Sequence, residues 1–124
     1  RAMLESGKRI VALTDDGGGA SPWFMTVWDF AWETDWFIED RVEFTCEPTE
    51  RGSPDNELFI LNHFVTKPWA NESIASEVNR LDYLLTRAEG CEEETGKSIS
   101  FLSVDFYASG DTLQVVRRLN GLEE

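Results

Sequence analysis

Short apolar segments alternate with amphipathic segments along this chain, and that alternation limits the folds open to it. Three segments have the apolar character of strands, namely residues 8–15, 57–64 and 98–107. Apolar strands that alternate with amphipathic helices pair in parallel, with the helices packed outside the sheet. We therefore expect an α/β fold. About four strands would make the C-terminal half of a TIM-type (β/α) barrel, or a small open sheet.

Two helices are marked by their spacing and by their ends. The first is predicted to begin after Asn71 as N-cap and to end at Gly90. The second is predicted to begin at Asp111, with Gln114 as its capping-box partner, and to end at Gly121. Apolar residues recur at helical spacing in both: Ile74, Val78, Leu81, Leu85 and Ala88 in the first, and Leu113, Val116 and Leu119 in the second.

The other segments are less regular. Residues 26–37 favour a helical turn that runs into a strand, and residues 41–47 favour a second short strand or an extension of that one. Residues 46–56 have the Pro, Gly, Ser and Asp content of a loop. Residues 1–9 resemble the tail of a helix that ends at Gly7, so we expect residues 1–124 to be a single, incomplete domain of a longer protein.

The charge of the chain excludes some partners. It carries 24 acidic and 11 basic residues, a net charge of −13. Nucleic-acid binding requires clustered Lys and Arg, so DNA and RNA are not expected as partners. Electrostatic attraction to an anionic membrane is disfavoured for the same reason. A solvated acidic surface explains the charge itself.

Two cysteines and one sequon bear on where the protein resides. Neither Cys46 nor Cys91 belongs to a CxxC pair, and the chain has a single His, so a zinc site is not expected. The two cysteines allow a disulfide bond. The tripeptide at Asn71 fits a glycosylation acceptor. Together these features favour a secreted protein.

Polar side chains cluster at the ends of the predicted strands. Asp15 and Asp16 end the first, Asn62 and His63 lie in the next, and Asp105 and Tyr107 lie in the last. The carboxyl ends of parallel strands share one edge of a sheet, which is where functional residues gather in α/β folds. Asp105 is the most informative, because a carboxylate inside an apolar strand needs a partner.

Structural interpretations of these residues remain open. In these interpretations Asp15 and Asp16 shape the Gly-rich turn that follows them. His63 is a structural histidine with satisfied ring nitrogens, and Asp105 caps a neighbouring loop. The turn lacks the Lys and Ser/Thr of a phosphate-binding loop. Trp36 suits either core packing or a platform for a sugar or cyclitol ring.

Three segments together resemble the C-terminal half of the phosphatidylinositol-specific phospholipase C (PI-PLC) X-domain-like phosphodiesterases. They are GKRIVALTD, LFILNHF and VDFYASGDTLQVVRRLNG. The intervening WETDW stands where this family tends to have a Glu followed by an aromatic residue. Cys46 and Cys91 stand where a secreted fungal and plant-like branch has cysteines, which implies a Cys46–Cys91 disulfide.

The resemblance implies a TIM-type barrel that cleaves a phosphodiester by in-line attack of the inositol 2-hydroxyl. Two histidines serve as general base and general acid, and an Arg offsets the phosphate charge. Asp105 would occupy the acidic position of the last strand and take part in catalysis by orienting the base histidine. The remaining rim residues would bind the substrate, an inositol phospholipid or related glycolipid: Asp15, Glu33, Trp36, Asn62, His63 and Tyr107.

The resemblance also has departures. The family's catalytic histidines and its phosphate-binding Arg lie in the N-terminal half, so this piece alone is expected to be inactive and to need that half as its partner. Trp36 stands where related enzymes often have Tyr, and Asp15 where some bacterial members have a basic residue. No cofactor or metal is expected, although the carboxylates would suit calcium. Transient membrane contact fits a lipid substrate. The alternative is a non-catalytic binding or structural module derived from the barrel.

Overall fold

The computed structural model describes residues 5–7, 10–17 and 23–122. Within them, six strands and three α-helices form a mixed α/β structure. The strands are β1 (Ala12–Thr14), β2 (Phe24–Thr26), β3 (Ala31–Thr34), β4 (Pro48–Gly52), β5 (Leu58–His63) and β6 (Ile99–Val104). The helices are α1 (Glu72–Val78), α2 (Leu81–Thr95) and α3 (Thr112–Leu119).

The strands form two sheets. One has the order β4-β3-β5-β6, and the other is the parallel pair β1-β2. Strands β3, β5 and β6 are parallel, as the sequence predicts, whereas β4 is an antiparallel edge strand. No closed barrel is formed by the described residues.

One face of the four-stranded sheet, here called the helix face, holds the core. Trp32 and Phe59 are register neighbours on β3 and β5, and their rings stack with centroids 4.2 Å apart. Together with Leu61 they pack on Ala88 and Cys91 of α2. Burial of large apolar side chains stabilises a fold by roughly 1.5–3 kcal/mol each, so this cluster anchors the sheet to α2.

The disulfide bond of the chain joins this core to the loop before β4. Cys46 is bonded to Cys91, as the resemblance implies, and 45 positions separate the two residues in sequence. The bond holds the start of β4 close to α2, so the packing of the core determines where β4 lies.

The other face, here called the open face, carries side chains of alternate residues. Strand side chains point to opposite faces in turn, so register neighbours share a face. The pairings Glu33–Ile60, Ile60–Phe101 and Asn62–Ser103 place these five residues on it. Phe101 is 47% exposed. The open face is apolar near the middle of the strands and polar toward their carboxyl ends.

The predicted first helix is two helices. Its N-cap is correct, since Asn71 Oδ1 accepts hydrogen bonds from the backbone of Ser73 and Ile74. The helix breaks at Asn79, whose side-chain amide donates to the carbonyls of Asp105 and Ser109 at 2.9 and 3.1 Å. The predicted end at Gly90 is wrong, because α2 continues to Thr95 and ends at Gly96 in the left-handed conformation.

The predicted capping box of the last helix is wrong. Asp111 is the N-cap of α3 by position, but its side chain caps another helix: Oδ2 accepts a hydrogen bond from the Leu81 backbone at 3.0 Å. The predicted buried stripe is correct only at Leu119, which is partly buried and packs against the core. Thr112 and Val115 are the buried residues of α3, while Leu113 and Val116 are exposed.

Two predictions between β3 and β5 are wrong, and one prediction before β3 is confirmed. The predicted strand within residues 41–47 is a 3₁₀ turn, Arg41–Glu43, whose end is closed by an Asp40–Glu43 capping box. The predicted loop at 46–56 contains β4. The 3₁₀ turn Val27–Asp29 leads into β3 as predicted.

The predicted helix tail at residues 1–9 lies mostly outside the described residues. Gly7 has a φ of +75°, as suits the end of a helix. In the part of the chain that the structure describes, no helix combines the length and apolar character needed to cross a membrane.

Candidate functional site

Four side chains from four strands or strand ends meet at the carboxyl edge of the parallel strands. Asp15 follows β1, Glu33 lies in β3, Arg51 in β4 and Asn62 in β5. Arg51 joins two of them: Nε donates to Glu33 Oε1 at 2.7 Å, and Nη1 donates to both oxygens of Asp15 at 3.2 Å. We call these four residues the Arg51 cluster.

Glu33 is the buried centre of the cluster. Its residue is 3% exposed. The second oxygen, Oε2, accepts from Asn62 Nδ2 at 2.9 Å, and the same amide donates to the Thr34 carbonyl at 2.8 Å. A buried carboxylate needs such partners because desolvation of the charge is otherwise too costly. The hydrogen bond to Glu33 is also the main reason why the pKa of Arg51 lies above its ordinary value.

Two tryptophans enclose the guanidinium. Arg51 Cζ lies 4.4 Å from the ring centroid of Trp28 and 5.6 Å from that of Trp36. Trp28 Nε1 donates to Asp15 Oδ1 at 2.8 Å. Trp36 is 42% exposed and meets Phe37 edge to face. Trp36 therefore places a partly exposed aromatic ring beside the Arg51 cluster and its carboxylates, which is an arrangement suited to a hydroxylated ring.

Gly52 allows β4 to bring Arg51 into place. It has a φ of +76°, and a Cβ at this position would lie 2.0 Å from the Ala31 carbonyl oxygen. Only glycine tolerates both the left-handed conformation and this approach of backbone to backbone. This close approach of β4 to β3 places the preceding residue, Arg51, next to Glu33.

Asp105 follows β6 at the same edge of the sheet and is half-buried. Its backbone carbonyl is held by Asn79, while its carboxylate makes no hydrogen bond or ion pair with the described residues. The next residue, Phe106, has a φ of +48°. A bulky residue in the left-handed region is strained, and such strain is common at functional sites. Nothing in the described residues links Asp105 to the Arg51 cluster.

His63 does not join the cluster. It lies on the helix face and is 0% exposed. Nε2 lies 2.9 Å from the Val78 carbonyl, and Nδ1 lies 3.0 Å from Arg87 Nη1. Burial lowers the pKa of His63 to about 4, the Val78 hydrogen bond opposes this, and the charge of Arg87 adds to it. These surroundings fit the structural interpretation of His63, because a neutral ring donates to Val78 and accepts from Arg87.

The other predicted residues lie apart from the cluster. Tyr107 is 64% exposed beyond β6. Asp16 is exposed, and its carbonyl accepts from the Thr14 hydroxyl at 2.9 Å. Asn71 is exposed and caps α1, and its glycosylation stays a prediction. Among the described residues, no group of three or more His, Cys, Asp or Glu side chains is placed to hold a metal ion.

Sequence reasoning missed Arg51 and Trp28. Arg51 lies in a segment with the composition of a loop, so nothing local marks it. A usable signal was present in β3: Glu33 lies within a strand that is buried throughout, and a buried carboxylate requires a donor from elsewhere in the chain.

Comparison with known proteins gives one match. The family model described as PI-PLC X 1 matches residues 1–120. Neither the curated proteins nor the solved structures contain a match to this chain. Because the family model spans nearly all of the 124 residues, the chain belongs to the PI-PLC X-domain family.

Proposed function

We propose that this chain is the C-terminal half of a TIM-type barrel that cleaves the phosphodiester of an inositol phospholipid or related glycolipid. The Arg51 cluster receives the head group. The single observation that carries the proposal is the convergence of Asp15, Glu33, Asn62 and Trp36 around Arg51 at the carboxyl edge of the strands. Carboxylate oxygens accept hydrogen bonds from ring hydroxyls, and an indole packs against the ring.

The proposed reaction is an intramolecular displacement at phosphorus. The inositol 2-hydroxyl oxygen forms a bond to phosphorus, the bond from phosphorus to the diacylglycerol oxygen breaks, and an inositol cyclic phosphate is released. A general base takes the hydroxyl proton and a general acid gives a proton to the leaving oxygen. Both are histidines of the N-terminal half, as the family resemblance implies, and the Arg that offsets the phosphate charge comes from that half as well.

Asp105 is assigned to orient the base histidine. Its half-buried carboxylate has no partner among the described residues, so it is available to accept the N–H of an imidazole brought by the other half. Such a bond selects the tautomer that can take the hydroxyl proton and stabilises the imidazolium that forms.

Exposed apolar side chains support the proposal that this chain is one half of a barrel. Phe101 of the open face and Leu113 of α3 are both largely accessible. In the proposed barrel the N-terminal half covers them and is the main partner of this chain.

Further exposed aromatic residues lie in the loops after β5 and β6. They include Trp69, Phe106 and Tyr107. Tryptophan and tyrosine suit the boundary between water and lipid, so we assign these loops to transient contact with a membrane surface. Secretion of the protein, catalysis without a cofactor or metal, and the absence of nucleic-acid partners complete the proposal.

A cleavage assay on the complete protein tests the proposal. Vesicles containing phosphatidylinositol are treated with the wild-type protein and with Glu33→Gln, and ³¹P NMR follows the cyclic phosphate. We expect cleavage by the wild-type protein and a kcat/KM lower by roughly 10- to 100-fold in Glu33→Gln, since a charged hydrogen bond in the site is lost. Glu93→Gln, an exposed position on α2, is the matched control.

Two results would contradict this function. If the wild-type protein produces no cyclic phosphate from phosphatidylinositol, the chain belongs instead to a non-catalytic module. That alternative draws on one observation: the single His of this chain is buried and held by structural partners. If Glu33→Gln cleaves as fast as Glu93→Gln, the Arg51 cluster does not bind the head group.

A further inference from the structure

Asn79 holds both ends of the loop that follows β6. Its side-chain amide donates hydrogen bonds to the carbonyl of Asp105 at 2.9 Å and to that of Ser109 at 3.1 Å. Its own backbone carbonyl accepts a hydrogen bond from the Asp111 backbone at 2.8 Å. Asn79 is 0% exposed and is the C-cap of α1. This one residue therefore ties the loop that carries Asp105 to the junction between α1 and α2.

The backbone of the loop also packs directly against Asn79. Gly110 has a φ of +96°, and a Cβ at this position would lie 2.7 Å from the Asn79 Cβ. Within the loop, the Ser109 backbone donates to the Phe106 carbonyl at 2.7 Å. The Ser109 hydroxyl donates to Glu72 Oε1 of α1 at 2.8 Å. These contacts leave the loop few other positions.

The conformation of Phe106 shows why the loop needs to be held. Its φ of +48° is strained for a bulky residue, and such strain persists only where the surrounding structure fixes it. The Asp105 carbonyl belongs to the peptide unit that precedes Phe106, and Asn79 binds this carbonyl. Without that hydrogen bond the peptide unit could rotate toward a relaxed conformation, and the Asp105 carboxylate would move with it.

The amide of asparagine suits this contact. Both partners are carbonyl oxygens, which only accept hydrogen bonds, and the amide nitrogen supplies two N–H donors. An ionised aspartate of the same size supplies none, and serine supplies one. The amide oxygen, Asn79 Oδ1, is buried without a hydrogen-bond partner among the described residues. An unpaired buried acceptor is unfavourable, so the two donated bonds are what hold this side chain in place.

Resting on the function proposed above, we propose that Asn79 is a positioning residue for catalysis. The Asp105 carboxylate has no partner of its own among the described residues, so its backbone determines where it points. By holding the Asp105 carbonyl, Asn79 directs the carboxylate toward the base histidine. Because Asn79 is fully buried, it does not touch the substrate, and its effect on the reaction passes through Asp105.

Turnover of phosphatidylinositol by the complete protein tests the inference. Asn79→Ala should lower kcat by about tenfold or more and change KM by less than about threefold, because a misdirected Asp105 slows proton transfer and leaves substrate binding intact. In the Asp105→Asn background the same substitution should lower kcat by less than about twofold, since the two residues act as a unit. A purely structural role would lower kcat by the same factor in both backgrounds.

Asn56→Ala is the matched control. Asn56 lies before β5, at the amino end of the parallel strands, and its amide also donates to two carbonyls. These are the carbonyls of Trp28 and Ala31, at 2.9 and 3.0 Å. The control substitution should lower the thermal midpoint as the loss of two such bonds does, and it should leave the kcat of the folded protein near that of the wild type.

A second variant decides the question if Asn79→Ala does not fold. Gly110→Ala keeps the Asn79 side chain and pushes the loop away from it, whereas the Cβ of Gly96→Ala meets open space. We expect kcat of Gly110→Ala to be lower than that of Gly96→Ala by about fivefold or more. A kcat equal to that of the control in either pair of variants overturns the inference.

The wild-type protein separates this inference from the function on which it rests. If the wild type releases no cyclic phosphate, the enzymatic function fails and the catalytic role of Asn79 fails with it. If the wild type cleaves phosphatidylinositol and Asn79→Ala loses the same factor of kcat with and without Asp105→Asn, the inference alone is overturned.

Discussion

The two faces of the four-stranded sheet are built from the same strands and differ in how their contacts arise. On the helix face, Trp32, Phe59 and Leu61 pack on α2, and each contact follows from burial of apolar area. On the open face, Glu33 is satisfied by Arg51 and Asn62, which come from two other strands. The helix face stabilises the sheet, and the open face carries the chemistry that the sheet positions.

The largest expected effect is a loss in the free energy of unfolding, and it distinguishes the two faces. Phe59→Ala should lower the free energy of unfolding of the complete protein by about 3–5 kcal/mol, because it leaves a cavity beside Trp32. Tyr107→Ala truncates an exposed aromatic side chain and should change it by less than about 0.5 kcal/mol. Urea unfolding measures both, and equal losses would contradict the assignment of the core to the helix face.

A second prediction concerns the buried histidine of the helix face. The pKa of His63 is lowered to about 4 by burial, whereas in the unfolded chain it returns to about 6.5. The unfolded state then binds the proton first, so the stability contributed by neutral His63 is complete above pH 6.5 and is lost as the pH falls toward 4. The loss is about 3 kcal/mol.

The measurement is the free energy of unfolding between pH 7 and pH 4 for the wild type and His63→Gln. Arg87 lies beside the ring, and its own pKa is lowered only to about 10 by burial, so it keeps its charge in this range. The variant should show a shallower pH dependence. An unchanged slope would mean that His63 titrates normally.

A smaller effect is expected from the glycine that brings Arg51 to the open face. Gly52→Ala introduces a Cβ that meets the Ala31 carbonyl, whereas Gly96→Ala introduces one into open space at a similar positive φ. The first variant should cost on the order of 2 kcal/mol more than the second. It should also lower kcat/KM for phosphatidylinositol, since β4 must move; equal stability and activity in both variants would remove Gly52 from the site.

The sequence predicted the helix face better than the open face, for a physical reason. The apolar run of β5 predicts the burial of that strand, and the N-cap at Asn71 is a local signal, whereas the apolar run of β6 is only partly buried. The position of β4 depends instead on contacts distant in sequence, namely the bond from Cys46 to Cys91 and the approach of Gly52 to Ala31. No local sequence pattern in residues 46–56 indicates these contacts.

The dependence on contacts distant in sequence also explains which residues of the candidate site were predicted and which were missed. Asn62 was predicted because it lies in a strand and Glu33 because the family resemblance implies it, and the structure joins them. Arg51 was missed because its partners lie 18 and 36 positions away in sequence. His63 was grouped with Asn62 although adjacent strand residues point to opposite faces, so a period of two would have separated them.

The most direct test is the turnover of the complete protein with Asp105→Asn. The substitution keeps the size of the side chain and removes its charge, so the thermal midpoint should stay near that of the wild type. We predict that kcat for phosphatidylinositol falls by roughly 10²- to 10⁴-fold, because the base histidine loses the group that orients it. A folded Asp105→Asn protein with the wild-type kcat would contradict the role of Asp105. It would also contradict the claim that this edge of the sheet is the catalytic edge of a phosphodiesterase.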